Sequence, residues 1–209
     1  MILGGILPKF PIRRQSSSAA AQKGFSTMFI QTEQTPNPAT LKFLPGREVL
    51  GHGTADFTSR EAAARSPLAE RLFEIDGVAG VFLGADFITI TKDGGKEWFL
   101  LKPSILGVIM EHFTAGKPVL LHGGDDNAVT EDDDEIVQQI KELLDTRVRP
   151  AVAQDGGDIT FHGFDRGVVY LHMKGSCAGC PSSTATLKNG IENMLRHYIP
   201  EVVEVRAVR

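Results

Sequence analysis

Cys177-Ala178-Gly179-Cys180 contains the only two cysteines of this 209-residue chain, and Pro181 follows at once. Two thiols at this spacing can grip one metal centre, close a tight disulfide or carry out dithiol redox chemistry. They cannot complete a four-thiolate site by themselves. A metal centre here must draw its other ligands from histidines or from a second copy of the chain. The ligand question is therefore also a question about assembly.

The elements around the pair favour reactive thiols. Val168-Val169-Tyr170-Leu171-His172-Met173 has the composition of a strand, and Gly175 breaks it. After the pair, Leu187, Ile191, Met194, Leu195 and Tyr198 recur at helical spacing. Pro181 suits the first helical position, where its missing N–H is no loss, so Cys180 falls at the N-cap. A thiolate there meets the positive end of the helix dipole and unpaired backbone N–H groups, which lower a thiol pKa from its ordinary value of about 8.5. Lys174 and Lys188 can add positive charge, and thiolate is the form that binds metal.

Composition narrows the function classes. Hydrophobic residues make up 42% and charged residues 23%, as in ordinary globular domains. No apolar run approaches the roughly 20 residues that span a bilayer, so no membrane role is expected. A formal net charge of −4 gives no electrostatic footprint for nucleic acid. One clustered cysteine pair points to a reducing compartment, bacterial cytoplasm or mitochondrial matrix, rather than a secreted disulfide framework. Residues 1–27 carry Lys9, Arg13, Arg14 and Lys23 and no acid before Glu33. Two readings stand for them: a segment of transit-peptide composition, or a leader upstream of a start at Met28.

The pattern predicts an α+β protein of two small α/β domains, 28–122 and 131–209, joined by an acidic linker at 123–130. In the first, strands are expected at 29–32 and 40–44, separated by Pro36-Asn37-Pro38. A helix at 68–73 has Ser66 as cap and Pro67 in first position. A hairpin of 78–83 and 87–91 turns at Gly84-Ala85-Asp86, and a helix at 103–113 carries Ile105, Ile109 and Phe113 on one face. His52 and His112 have no partners at catalytic spacing and are read as surface or packing residues. The acidic run Glu131-Asp132-Asp133-Asp134-Glu135 complements the dipole of a helix start. It lacks the alternating ligands and central glycine of a calcium loop.

The second domain is expected to be a small sheet with two helices. Helix 131–149 ends at Pro150, strands lie near 158–164 and 167–173, and helix 181–197 precedes a last strand near 201–206. Asp155-Gly156-Gly157-Asp158 supplies a sharp turn. It lacks the further Gly and the Lys-Ser/Thr of a phosphate loop. A core of this size is thin, and a bound metal or a dimer partner would support it.

Four chemistries compete for the cysteine pair. A thioredoxin-like site also lies between a strand and a helix, but only one strand follows the helix here. A monomeric Cys2His2 zinc site would need His162, His172 or His197, none at the usual spacing. Buried structural thiols fit poorly with the surrounding glycines and an exposed helix terminus. The fourth is an iron–sulfur cluster shared between protomers.

The second domain resembles the C-terminal domain of the NifU-like family, the Nfu scaffold proteins. The resemblance is carried by Arg149-Pro150, Gln154-Asp155-Gly156-Gly157-Asp158, Gly175-Ser176-Cys177-Ala178-Gly179-Cys180-Pro181-Ser182-Ser183, Thr186-Leu187-Lys188 and Tyr198-Ile199-Pro200-Glu201-Val202. Residues 28–115 resemble the N-terminal domain of one branch of that family, through Phe29-Ile30-Gln31-Thr32, Thr35-Pro36-Asn37-Pro38-Ala39-Thr40-Leu41-Lys42-Phe43 and Leu44-Pro45-Gly46. The resemblance implies a non-enzymatic carrier. It implies a [4Fe–4S] cluster held at a homodimer interface by Cys177 and Cys180 of each chain. It also implies an upstream cluster donor and, as recipients, apo-proteins of the aconitase and lipoyl synthase types. Two symmetry-related pairs give the four thiolates such a cluster takes. The alternative is a dithiol oxidoreductase that cycles the same pair without iron.

Overall fold

The computed structural model describes residues 29–121 and 134–208. The expectations for residues 1–27 and 123–130 lie outside these. The N-terminal part is a five-stranded antiparallel sheet with two helices on one face. Its strands are β1 (Gln31–Gln34), β2 (Thr40–Leu44), β3 (Ala55–Phe57), β4 (Val78–Leu83) and β5 (Ile88–Lys92), in the order β1-β2-β5-β4-β3. The helices are α1 (Pro67–Phe73) and α2 (Trp98–Thr114). The C-terminal part has α3 (Glu135–Leu143), a π-helical turn (Leu144–Val148), α4 (Arg149–Gln154), β6 (Gly157–Asp165), β7 (Val168–Gly175), α5 (Pro181–Tyr198) and β8 (Glu204–Val208). Here β6 pairs antiparallel and β8 parallel to the central β7.

Local chemistry explains most elements. Ser66 caps α1, its hydroxyl accepting from the Ala69 N–H at 3.1 Å and donating to the Val119 carbonyl at 2.7 Å. The alternating residues Leu41, Phe43, Val81, Leu83, Ile88 and Ile90 enter one core with Leu68, Leu72, Leu101, Ile105 and Ile109. Ile140, Leu144, Val148, Ile159, Leu171, Ile191 and Leu195 form a second core. Each such side chain gains about 1.5–3 kcal/mol on burial. His112 is buried in packing and His52 is exposed, as their lack of partners suggested.

Several boundaries depart from the sequence expectation. Helix α2 begins at Trp98 and runs through Pro103. The proline deprives the Phe99 carbonyl of its helical donor, but Phe99 is 72% exposed, so water can serve it, while Leu101 and Ile105 anchor both sides of the proline in the core. The first helical run of the C-terminal part does not stop at Pro150. The π turn before it re-phases the backbone, Pro150 takes the opening turn of α4, and the run continues to Gln154. Strand β1 lies two residues later than expected, on an exposed sheet edge. The short β3 was not expected, and β8 starts at Glu204 rather than near 201. Tyr198 is not a core residue: it is half exposed, beneath the Arg147 guanidinium at 4.9 Å from the ring centre.

Candidate cluster-binding loop

The cysteine loop is hung between the end of β7 and the start of α5. Gly175 turns the chain at φ +62°, and Gly179 turns it again at φ +82°, conformations that disfavour side chains with a Cβ. The Cys177 N–H donates to the Lys174 carbonyl and the Ala178 N–H to the Gly175 carbonyl, at 3.3 and 3.1 Å. Cys180 is the N-cap of α5, its carbonyl accepting from the Thr184 N–H at 2.9 Å. The Thr184 hydroxyl reaches back to the Cys177 carbonyl at 3.1 Å, tying the two ends of the motif together.

The two thiols have different surroundings. Cys180 is half-buried at the helix terminus, as its position before Pro181 predicted. Cys177 is 6% exposed and belongs to the C-terminal core. Its sulfur lies against Gly157, where an added Cβ would approach Sγ to 2.5 Å. Burial pushes the Cys177 thiol up to about 12, and the Asp155 and Asp158 carboxylates add to this. The lowered pKa is expected at the N-cap thiol, Cys180; Cys177 departs in the other direction, because burial beside acids prevails there. The lysines do not offset this: Lys188 Nζ lies 3.7 Å from Glu204, and neither Lys174 nor Lys188 is among the charges that act on Cys177.

A second layer, missed as functional in the sequence, fixes the loop. The Ser176 hydroxyl donates to the Asp155 carbonyl at 2.6 Å, and the Ser176 N–H to the Gly156 carbonyl at 3.2 Å. Asp158, 2% exposed, accepts from Arg149 through Nε at 2.8 Å and Nη2 at 3.0 Å. It also takes the Ile159 N–H and the Thr54 hydroxyl. Bidentate pairing is the strong form of such a contact, and it raises Arg149 further above its ordinary value. Arg149-Pro150 and Asp155-Gly156-Gly157-Asp158 carry part of the family resemblance, but neither stretch by itself shows that the arginine and the second aspartate pair.

Histidines do not complete the site. His162 and His172 stack edge to face at 4.7 Å on the sheet, and His197 stacks on Tyr198 at the far end of α5, roughly 25 Å along the helix from Cys180. Among the described residues no three His, Cys, Asp or Glu side chains gather as a metal-ion cluster. One chain thus offers two soft thiol donors on one loop, which suits iron–sulfur chemistry but supplies half of a four-thiolate set.

Two family models match this chain: "Scaffold protein Nfu/NifU N terminal" over residues 30–116 and "NifU-like domain" over 140–206. A protein of Drosophila virilis described as "NFU1 iron-sulfur cluster scaffold homolog, mitochondrial" is 55% identical over 207 residues, covering 96% of this chain and 69% of its own length. The chain belongs to the Nfu/NifU family. The Drosophila erecta protein of the same description is 59% identical over 189 residues, or 88% of this chain, which spans 66% of that relative's length. Among solved structures, a NifU-like protein from Saccharomyces cerevisiae is 28% identical over 46% of this chain and 87% of its own, with a TM-score of 0.42. The family is one of iron–sulfur cluster assembly scaffolds. No described helix is long and apolar enough to cross a membrane.

Proposed function

We propose that this Nfu/NifU chain carries a [4Fe–4S] cluster as cargo between two protomers and delivers it to apo-proteins. Cys177 and Cys180 of each chain are its protein ligands. The observation that carries the reading is the pair of thiols on one loop with no third ligand side chain gathered beside them among the described residues. The family assignment supplies the class of cargo. A cluster on a two-fold seam takes two thiolates from each side and leaves when the seam opens, which suits a carrier better than a catalyst. The proposed units are residues 28–122 and 131–209 with a linker at 123–130, and the proposed compartment is the mitochondrion, as the relatives are described.

Anaerobic reconstitution with iron and sulfide analysis tests this. About four iron atoms per dimer are expected, with loss of the cluster in Cys177→Ser and Cys180→Ser and its retention in His172→Ala. A monomer holding a complete cluster, or loss of binding in His172→Ala, would overturn the ligand assignment. A protein that cycles a Cys177–Cys180 disulfide and takes up no iron would be the dithiol oxidoreductase instead.

A further inference from the structure

Side chains alternate between the two faces of a strand, and the face of the N-terminal sheet away from α1 and α2 should be solvated. On β1 it is, but across β2, β5 and β4 it is not. Register places Lys42 opposite Thr89, Thr89 opposite Phe82, and Phe82 opposite Asp56, one row running across β2, β5, β4 and β3. Lys42, Thr89 and Phe82 are 6%, 0% and 1% exposed. None of them belongs to the apolar core on the other face. They are covered by the turn and the loop that hold the cysteines.

Four hydrogen bonds among the described residues cross this seam. Asn37 Nδ2 donates to the carbonyl of Ala178, between the two cysteines, at 2.9 Å. Lys42 Nζ donates to the Gln154 carbonyl at 2.9 Å, Thr89 Oγ1 to the Gly156 carbonyl at 2.7 Å, and Thr54 Oγ1 to Asp158 at 2.7 Å. The close approach depends on glycine. A Cβ at Gly156 would meet Thr89 Oγ1 at 2.7 Å, and one at Gly175 would meet the Phe82 ring at 2.9 Å. Burial at the seam holds the Asp56 carboxyl above the usual carboxylate range, with the Lys174 charge and the Gly175 backbone opposing. The two apolar cores share no residue. Apart from the Phe82 ring the seam is polar and lies between separate cores, the kind of boundary across which parts of a chain move, since water replaces each hydrogen bond on opening.

We propose that the N-terminal sheet is a lid on the cysteine loop, and that lid closure and cargo loading exclude one another. The proposal rests on the reading of Cys177 and Cys180 as cargo ligands. With the lid closed, Ala178 is tied to Asn37, and Cys177 is packed against Gly157 beneath the Gly156 turn that Thr89 holds. A cluster shared with a second chain needs both sulfurs presented outward, so the loop must leave Asn37, and the Gly156 turn must leave Thr89, before the chain can load. The N-terminal part thereby sets when the thiols are available.

The test uses the full-length, reduced chain without cargo. N-Ethylmaleimide labelling of each cysteine is followed by mass spectrometry at one fixed pH, for wild type, Asn37→Ala, Thr89→Val and the double variant. The double variant should label Cys177 about tenfold faster than wild type, as expected when a local closing equilibrium is released, while exposed Ser104→Ala leaves the rate unchanged. An unchanged Cys177 rate in a double variant that keeps its wild-type circular dichroism overturns the lid. A second measurement needs no variant. Acylation of Lys42 by an N-hydroxysuccinimide ester should be slow in the wild-type chain without cargo, where its ammonium is buried against the Gln154 carbonyl, and faster in the cluster-loaded chain. An equally slow Lys42 rate with the cluster bound overturns the lid and leaves the cargo reading standing. A chain whose thiols are released by the variants yet never takes up iron sinks the cargo reading and leaves the lid standing.

Discussion

At the scale of single residues, Cys177 makes the protein sensitive to pH in a defined direction. Unfolded, its thiol loses a proton near about 8.5; folded, it holds the proton up to about 12. Between those values the unfolded chain binds fewer protons than the folded one, so stability falls as pH rises. Urea melts at pH 7.5 and 9.5 should give wild type a steeper loss than Cys177→Ala, by at most about 1.4 kcal/mol per pH unit. Equal slopes would mean that the thiol is solvated. The same proton must leave before iron binds, so cluster affinity should fall as pH falls. Asp158 makes a separate residue-scale demand. Arg149→Ala would leave that buried carboxylate without its bidentate partner, and a loss of about 3 kcal/mol is expected in denaturant melts. A loss under about 1 kcal/mol, the worth of an exposed pair, would mean that water reaches the carboxylate.

At the scale of elements, the turns around the loop separate backbone strain from close packing. Gly179 and Gly156 have nearly the same φ, +82° and +81°. A Cβ at Gly179 meets nothing within 4 Å, whereas one at Gly156 runs into Thr89. Gly179→Ala should therefore cost about 1 kcal/mol, the backbone term alone. Gly156→Ala should cost more, and Thr89→Ala in the same chain should return part of the excess, because it removes the atom the new methyl would strike. Thermal melts of the two single variants and the double variant decide this. Equal losses at both glycines would mean that Thr89 does not rest on Gly156 in solution. The glycine-rich turn, read from sequence as a way into a strand, is in the fold a surface cut away to admit another part of the chain.

At the scale of the whole molecule, the cargo is expected to govern assembly. A ligand that binds the dimer and not the monomer favours the dimer by mass action. Sedimentation of the apo and cluster-loaded forms at equal protein concentration should show a larger dimer fraction in the loaded form. Equal fractions would count against a bridging cluster. The lid adds a second whole-molecule consequence. Assembly across the cysteine loop and closure of the N-terminal sheet compete for the same loop, so a monomeric apo state and a closed state should rise and fall together.

What the sequence determined by itself was local. Strand β2 has the bounds expected from its alternation, α1 has the expected Ser66 cap, and the β4–β5 hairpin turns where Gly84-Ala85-Asp86 predicted. The placement of Cys180 before a helix opened by Pro181 was equally legible. Each depends on a period, a cap or a forbidden dihedral that neighbouring residues set. The two proline sites were misread because tertiary burial on both sides of Pro103, and a π turn ahead of Pro150, offset a local cost that the sequence states plainly. The family, and with it the class of cargo, was also readable, since the glycines, acids and cysteines of the loop keep a fixed order and spacing. Only the tertiary structure decided that Lys42 and Thr89 are buried, because their pattern is that of a solvated face and what covers them lies more than a hundred residues away for Lys42 and 67 for Thr89. It also decided that Cys177 and Cys180 differ. Local sequence places Cys180 at a helix start and says nothing of burial at Cys177, where packing against Gly157 and the charges of Asp155 and Asp158 act through contacts that the fold creates.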